Sequence, residues 1–198
     1  MISRRNFCAL TASAIMCAPR IAQAGVHLPE APEGLIRRAK VAMDRHAQAI
    51  ADRDRMAVVD FSAPSRVPRF HLIDLVGGRR RALLVAHGRG SDPDHRGWLE
   101  RFSNVPGSKA SSAGAYVTSD LYIGKHGRSR RLIGLDPGNS NAQARAIVIH
   151  AAGYVSPALA NETGKLGRSE GCLAVAEDDL EEVLATLGSG RLIYVDKV

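Results

Sequence analysis

Two apolar stretches each carry one reactive side chain, and together they suggest the fold and the chemistry. The first, AIVIH at residues 146–150, is a continuous apolar run ending in His150, as in a strand buried on both faces. The second, GRSEGCLAV at 167–175, is a polar, glycine-containing turn that leads through Cys172 into a strand. The loop between them is long enough to fold back. We therefore predict that Cys172 and His150 come within hydrogen-bond distance, as an activated sulfur nucleophile requires.

Working outward, the rest of the chain predicts short strands and few helices. Apolar positions recur at helical spacing from Leu35 to about Arg53 and again from Asp178 to Leu187. Short apolar runs broken by Gly, Pro, Asn and Ser predict further strands at residues 56–61, 71–75, 82–86, 115–118, 131–135 and 192–195. We predict a mainly β domain, a β-sandwich or barrel-like sheet, with an N-terminal helix and one C-terminal helix.

The first 24 residues have the features of an export signal. Arg4 and Arg5 form a twin-arginine pattern, a mildly apolar run follows, and AQA at 22–24 is a small-residue cleavage site. The run is shorter than the roughly 20 apolar residues of a membrane-spanning helix. We predict a cleaved twin-arginine signal peptide (1–24), an N-terminal helical segment (25–55) and a catalytic domain (56–198). The mature protein would be periplasmic, without stable membrane insertion.

Removal of this segment changes both the charge and the cysteine content. The formal net charge falls from +7 to +4, because Arg4, Arg5 and Arg20 are lost and no acid is. This modest basic excess suits an anionic cell-wall polymer and is too small to indicate nucleic acid. Cys8 and Cys17 are also lost, so Cys172 remains alone. It is then either a packed apolar residue or a reactive thiol.

The residues around the reactive pair resemble a known family. His150 with a small residue after it, followed by Ser169-x-Gly171-Cys172, resembles the signature of the L,D-transpeptidase catalytic domain, often called YkuD-type. The segment SSAGAY at 111–116 is similar to the entry into that domain's Gly-containing strand. A His-Gly pair at 87–88 and Phe-Ser-Asn at 102–104 resemble the murein L,D-transpeptidase catalytic domain family branch. The resemblance covers roughly residues 82–195.

The resemblance implies a role for each of these residues. Cys172 would be the nucleophile and His150 the general base, oriented by the backbone carbonyl of Ala151. Backbone N–H groups of Gly171 and Cys172 would hold the oxyanion. The remaining candidates, for substrate binding, are Arg168, Ser169, Tyr154 and His87.

The implied reaction is acyl transfer on a peptidoglycan tetrapeptide stem. The thiol attacks the bond between a diamino acid and D-Ala, D-Ala leaves, and an amine resolves the thioester. A carbapenem would acylate the same sulfur. We expect a monomer that needs no cofactor and no metal. We also expect the histidine to lower the pKa of the thiol.

The chain departs from the common signature at two positions. Glu170 stands where the signature has His, and Ala174 stands where it has Arg, two residues after the cysteine. Arg168, on the other side of Cys172, could take over part of the missing arginine's role. Both departures concern the choice of acyl acceptor more than the nucleophile.

Three alternative functions remain open at this point. Water could replace the amine, which would make the protein an L,D-carboxypeptidase or endopeptidase. A zinc stem-peptide peptidase could use His87 and Asp94, with Asp92, His95 and His150 as further ligands, although no close-spaced pair completes such a site. A non-catalytic wall-binding domain would retain the fold without forming a thioester at Cys172.

Overall fold

The computed structural model describes residues 30–197, so the predicted signal peptide lies outside the described residues. This part of the chain forms nine strands, three α-helices and two single 3-10 turns. The helices are α1 (Glu33–Arg45), α2 (Pro157–Thr163) and α3 (Leu180–Thr186). The strands are β1 (Arg55–Asp60), β2 (Phe70–Asp74), β3 (Arg80–Leu83), β4 (Val85–Ala86), β5 (Gly114–Gly124), β6 (Gly127–Gly134), β7 (Val148–Ala151), β8 (Leu173–Val175) and β9 (Leu192–Asp196).

All nine strands belong to one sheet, in the order β3-β2-β1-β9-β5-β6-β7-β8-β4. The pairs β1/β9 and β7/β8 are parallel and the others antiparallel. The two outermost strands, β3 and β4, are separated in the chain by Leu84 alone. Because one residue spans at most about 3.6 Å, the two ends of the sheet must approach each other. The sheet is therefore nearly closed, and the predicted mainly β, barrel-like fold is confirmed.

Apolar side chains cover both faces of the sheet. Along β1, Ala57 and Val59 join the inner core, whereas Met56 and Val58 pack with α1. Such alternation is what a strand buried on both faces requires. α3 contributes to the inner core, and α2 packs against β4 and β8. None of the helices in the described part of the chain has the length and apolarity to cross a membrane.

The N-terminal helix is shorter than predicted. α1 ends at Arg45, whereas the apolar spacing indicated a helix to about Arg53. His46 leaves helical geometry with φ −106°, and its Nε2 lies 2.9 Å from Asp136 Oδ1. The turn that follows still buries Ile50, which is why the apolar spacing continues beyond the helix.

A helix that the sequence pattern did not predict, α2, lies in the loop between the two reactive residues. It has seven residues, of which only Ala160 is buried, so there is no apolar periodicity to detect. Its ends are nevertheless visible in the sequence. Ser156 Oγ accepts the Leu159 N–H at 3.1 Å, and Gly164 ends the helix with φ +72°.

The strands differ from prediction in two places. The predicted strand at 82–86 is divided at Leu84 into β3 and β4, which lie at opposite ends of the sheet. The predicted strands at 115–118 and 131–135 are only the inner half of a long β5–β6 hairpin. Its outer half is largely exposed, with Ile123 among the most exposed apolar residues, and the prediction passed over its short apolar run Leu121-Tyr122-Ile123.

Candidate active site

Strands β7 and β8 make the two reactive residues neighbours. They run parallel, with His150 paired to Ala174, and Cys172 comes two residues before Ala174. Side chains alternate along a strand, so Ala174 and His150 project from the same face, and Cys172 lies one residue before the start of β8. The pairing thus brings two segments close together that are 22 positions apart in the chain. The predicted hydrogen bond between Cys172 and His150 is absent from the described residues, because the thiol donates to the Ala146 carbonyl instead.

The His150 imidazole is buried, at 1% exposure, and is held on two sides. Its Nδ1 lies 2.8 Å from the Ala151 carbonyl, which can only accept, so Nδ1 carries the proton. The exposed His126 ring stacks on it, with centroids 4.3 Å apart and planes at 18°. Burial lowers the pKa of His150; Ala151 raises it, and the charges of His126 and Lys125 lower it. The ring is therefore neutral at neutral pH, with Nε2 as its basic nitrogen.

The Cys172 thiol is half-buried and protonated at neutral pH. Its Sγ lies 3.6 Å from the Ala146 carbonyl, to which it donates. Burial raises the pKa of the thiol, against lowering by the Val148 backbone and by the Lys125 and Arg145 charges. This direction is opposite to the lowered thiol pKa expected beside a histidine. The two residues are thus a neutral thiol and a neutral imidazole, so deprotonation has to accompany nucleophilic attack.

Gly171 and Ser169 shape the turn into Cys172. Gly171 has φ +119°, and a Cβ there would lie 2.8 Å from the Ala110 carbonyl, so only glycine fits. Its N–H donates to Ser169 Oγ at 3.1 Å, and the Ser169 hydroxyl donates to the Cys172 carbonyl at 2.7 Å. The Gly171 N–H, predicted to hold the oxyanion, is thus engaged by Ser169 in this structure.

Backbone strain is concentrated around residues 165–172, which we call the cysteine loop. Three non-glycine residues in the described part of the chain have positive φ, at 53–55°, and all three contact this loop. The contacts are Ala146 O with the Cys172 thiol, His95 Nε2 with Leu166 O at 2.8 Å, and Lys109 Nζ with Glu170 Oε1 at 3.4 Å. Such conformations cost about 1–3 kcal/mol each and persist where surrounding contacts enforce them. The shape of the loop is therefore strongly specified.

His87, a predicted substrate-binding residue, lies beneath the cysteine loop at 1% exposure. Its Nδ1 accepts from Arg69 Nη2 at 2.7 Å, and its Nε2 donates to Asp92 Oδ2 at 3.3 Å. Its carbonyl accepts the Ser169 N–H at 2.9 Å. Burial lowers the pKa of His87 to about 4. This neutral ring connects a buried polar network to the loop, so an effect of His87 on substrate would pass through the loop.

Arg168 and Tyr154, also predicted to bind substrate, contact the protein's own loops here. The Arg168 guanidinium donates to the carbonyls of Asp92 and Pro93. Half-buried Tyr154 packs against Gly167, where a Cβ would lie 2.5 Å from Tyr154 Cβ. Burial raises the pKa of Tyr154 to about 12, and the Cys172 charge adds to that shift. Their contact with substrate stays a prediction.

The two positions that depart from the common signature have different surroundings. Ala174, in place of Arg, is fully buried in β8. Glu170, in place of His, is exposed and pairs with Arg89 Nη2 at 2.5 Å and Lys109 Nζ at 3.4 Å. Lys109 is the main reason that the pKa of Glu170 is lowered. A group of opposite charges thus lies beside the nucleophile.

Three residues near the site were missed in the sequence. Arg145 lies under the cysteine loop, where it donates to Ser103 O and Ser112 Oγ at 2.6 Å each. Both serines lie in segments noted for their resemblance to the family, and that was the available signal. Lys125 and His126 form the tip of the β5–β6 hairpin. They reach His150 only through the pairing of β6 with β7, which no local pattern indicates.

The ligands considered for zinc do not converge. The described residues contain no group of three or more His, Cys, Asp or Glu side chains placed to hold a metal ion. His87 pairs with Asp92, whereas His95 Nε2 lies 2.8 Å from the Leu166 carbonyl. His150 Nδ1 is directed at Ala151.

Comparison with known proteins gives the family. The family model described as "L,D-transpeptidase catalytic domain" matches residues 29–195. The chain belongs to the L,D-transpeptidase catalytic domain family. None of the curated protein sequences matches this chain.

Solved L,D-transpeptidase structures resemble it at low identity. One from Mycobacterium tuberculosis H37Rv is 13% identical with a TM-score of 0.46, over 73% of this chain and 58% of that one. L,D-transpeptidase 3 of M. tuberculosis with a faropenem-derived adduct is 13% identical with a TM-score of 0.48, over 73% and 60%. The Stackebrandtia nassauensis L,D-transpeptidase is 14% identical with a TM-score of 0.41, over 76% and 63%. This chain spans about three fifths of the length of these proteins.

Proposed function

We propose that this protein is a peptidoglycan L,D-transpeptidase that uses Cys172 as nucleophile and His150 as base. The observation that carries the proposal is the pairing of β7 with β8. It brings His150, a neutral ring with Nδ1 directed at Ala151, close to the segment that carries Cys172. This is the residue pair that acyl transfer through sulfur requires.

In the first half-reaction, His150 Nε2 takes the thiol proton as Sγ attacks the carbonyl of the diamino acid. The C–S bond forms, and the carbonyl oxygen becomes an oxyanion. Since Ser169 engages the Gly171 N–H, we assign the oxyanion first to the Cys172 N–H. Collapse breaks the C–N bond, and the His150 proton goes to the D-Ala nitrogen. The products are a thioester and free D-Ala.

In the second half-reaction, an amine of another stem attacks the thioester carbonyl. His150 Nε2 removes the amine proton, the C–S bond breaks, and that proton returns to sulfur. The neutral state of both residues fits this cycle, because one proton moves between them and no charge has to be stored. Water in place of the amine would give the carboxypeptidase or endopeptidase outcome on the same residues.

The site of action proposed is the periplasm, after twin-arginine export and cleavage before Gly25. The basis is the sequence of residues 1–24. N-terminal sequencing of exported protein tests it. A start at Gly25 supports the proposal, and retention of Met1 on periplasmic material contradicts it.

The reaction is tested by incubating the protein with a tetrapeptide muropeptide, with and without a second stem. Intact mass should show an acyl adduct with loss of D-Ala, and chromatography should show a cross-linked product when the acceptor is present. A carbapenem should form an adduct on wild type and none on Cys172→Ala. Chelators should have no effect. Activity lost on chelation and restored by zinc would instead support the metallopeptidase alternative.

A further inference from the structure

We propose that His126 is a positioning residue whose ring fixes the plane of the His150 imidazole. The inference rests on the proposed role of His150 as base. It concerns a contact between two histidines that are 24 positions apart in the chain, at the tip of a hairpin that the sequence did not predict in full.

The stack supplies a constraint that the hydrogen bond of His150 does not. The Ala151 carbonyl holds Nδ1 at 2.8 Å, but a single bond at one ring atom leaves the ring free to rock about that atom. A second ring at 4.3 Å and 18° opposes this rocking, because stacked rings lose contact when either tilts. Nε2 is the atom farthest from the hydrogen bond, so its position depends most on the ring plane.

The hairpin is built so that its tip lies at a fixed place. Gly124 pairs with Gly127, and only Lys125 and His126 lie between them. Gly127 has φ +72°, whereas Lys125 and His126 do not have positive φ. This combination is typical of a tight turn followed by a left-handed glycine. A two-residue tip leaves the His126 backbone little freedom.

The outer hairpin is also bent and braced. The register shifts between Thr118 and Leu121, so one extra residue on β5 forms a bulge, which bends a strand. Arg130 donates to Ser119 O at 2.7 Å within the bulge and to Leu184 O at 3.3 Å on α3. Arg128 pairs with Glu181 of α3 at 2.5 Å. These contacts to a core helix direct the tip towards β7.

The charges at the hairpin tip act on His150 as well as the ring stack. The groups that act on His150 are the His126 ring and the Lys125 charge from the hairpin tip, and the Ala151 carbonyl. A cation on His126 or Lys125 disfavours a proton on His150, and both lower its pKa. Ring contact and charge can therefore be separated: a neutral flat side chain at position 126 keeps the first and removes the second.

The test compares His126→Phe, His126→Ala and Lys125→Gln with wild type. The ring-nitrogen chemical shifts of His150, followed against pH, report its tautomer and titration midpoint. The rate of Cys172 acylation by a carbapenem, followed against pH, gives a plateau and an acidic limb. We expect His126→Ala to lower the plateau about tenfold, because a small misplacement of a reacting group is costly. His126→Phe should keep the plateau within about twofold.

All three variants should move the His150 midpoint to higher pH, since each removes a neighbouring cation. Lys125→Gln should do so without lowering the plateau, which separates charge from ring position. Equal plateaus in His126→Ala and wild type, or equal losses in the Ala and Phe variants, would overturn the proposal. Because the nitrogen titration needs no stem peptide, it remains valid if the protein fails to process stems. That failure would count against the proposed function alone.

Discussion

The cysteine loop carries the nucleophile, whereas the tip of the β5–β6 hairpin stacks on His150, and the two regions are held in different ways. Backbone contacts hold the centre of the loop at Ser169: its N–H donates to the His87 carbonyl, its carbonyl accepts the Arg89 N–H, and it forms a short bridge with Gly88. Side-chain contacts hold the outer hairpin, including Arg128 with Glu181 and Arg131 over Tyr122, whose ring centroid lies 4.1 Å away.

This difference indicates that the loop fixes the position of the nucleophile, whereas the hairpin adjusts the base. Close backbone packing around Gly171 and left-handed residues on neighbouring segments leave the nucleophile little freedom. The hairpin contributes a ring and a charge, and either can be exchanged without disturbing the core. Substitutions in the loop should therefore affect folding and chemistry together, whereas substitutions in the hairpin should affect the chemistry alone.

The largest effect is expected from the residue between the two regions. His150→Ala should lower stem-peptide turnover by at least about 10²-fold, since both half-reactions need the proton relay. Alkylation of Cys172 by iodoacetamide should stay slow near neutral pH in both proteins, because burial raises the pKa of this thiol. The measurements are single-turnover rates and alkylation rates against pH.

Wild-type turnover should hold to a lower pH than it would with an unperturbed histidine as base. The sign follows from the lowered pKa of His150, since the ring stays neutral and able to accept the thiol proton at a lower pH than an unperturbed imidazole. Circular dichroism provides the folding control. Fast wild-type alkylation well below neutral pH that disappears in His150→Ala would instead indicate a thiolate–imidazolium pair.

Gly171→Ala should give the next largest effect and test the rigidity of the loop. The new Cβ would lie 2.8 Å from both Ala110 O and Ile147 Cδ1, in a conformation with φ +119°. We expect a loss of about 1–3 kcal/mol in the free energy of unfolding. Carbapenem acylation should fall about 10²-fold, because Cys172 is displaced.

The matched control is Gly107→Ala. Gly107 also has a positive φ, of 76°, but nothing lies within 4 Å of its added Cβ. It therefore carries backbone strain without the clash, and its acylation rate should equal that of wild type. Equal stability losses with unchanged acylation in both variants would mean that the Gly171 turn does not set the thiol position.

The sequence predicted the parts of the site that depend on local pattern. The apolar runs before His150 and after Cys172 identified β7 and β8, and a glycine before the cysteine indicated a tight turn. In α1, the apolar positions identified the buried face. The sequence did not identify the end of this helix, because the turn that buries Ile50 continues the same apolar spacing.

The parts that were missed depend on contacts between distant segments. His126 and Lys125 lie in a polar hairpin tip whose importance comes only from strand order. The direction of the Cys172 pKa shift was wrong for a similar reason. A neighbouring histidine suggested a lowered pKa, whereas the largest cause is burial, which a sequence does not show. The twin-arginine signal and the catalytic and substrate-binding roles stay predictions.

A third expected effect concerns His87, which lies beneath the cysteine loop, and the dependence of folding stability on pH. The pKa of His87 is lowered from 6.5 to about 4 by burial, so protonation favours the unfolded chain. The contribution of the neutral ring to the free energy of unfolding is fully present above pH 6.5 and is lost as the pH falls towards 4. The loss amounts to about 3 kcal/mol. Urea unfolding of wild type and His87→Gln across this range should show a flatter pH dependence in the variant. Parallel pH dependences of the two proteins would contradict this prediction.

The smallest effect is expected at Glu170, where the charges of the two regions meet. Its carboxylate pairs with Arg89 and Lys109, and it raises the pKa of Cys172. Glu170→Gln should move the thiol titration to lower pH and raise the alkylation rate at neutral pH at most a few-fold, because exposed charges interact weakly.

Salt and a second acidic residue separate this effect from a structural one. The rate difference between Glu170→Gln and wild type should shrink at about 0.5 M salt, where charges are screened beyond a few ångströms. Glu162→Gln, on the exposed side of α2, removes the same charge without an Arg or Lys partner in the described structure and should leave the rate unchanged. A rate difference that persists at high salt would mean that Glu170 acts through the shape of the cysteine loop. The loop would then depend on side-chain contacts as the hairpin does, and the division between the two regions would fail.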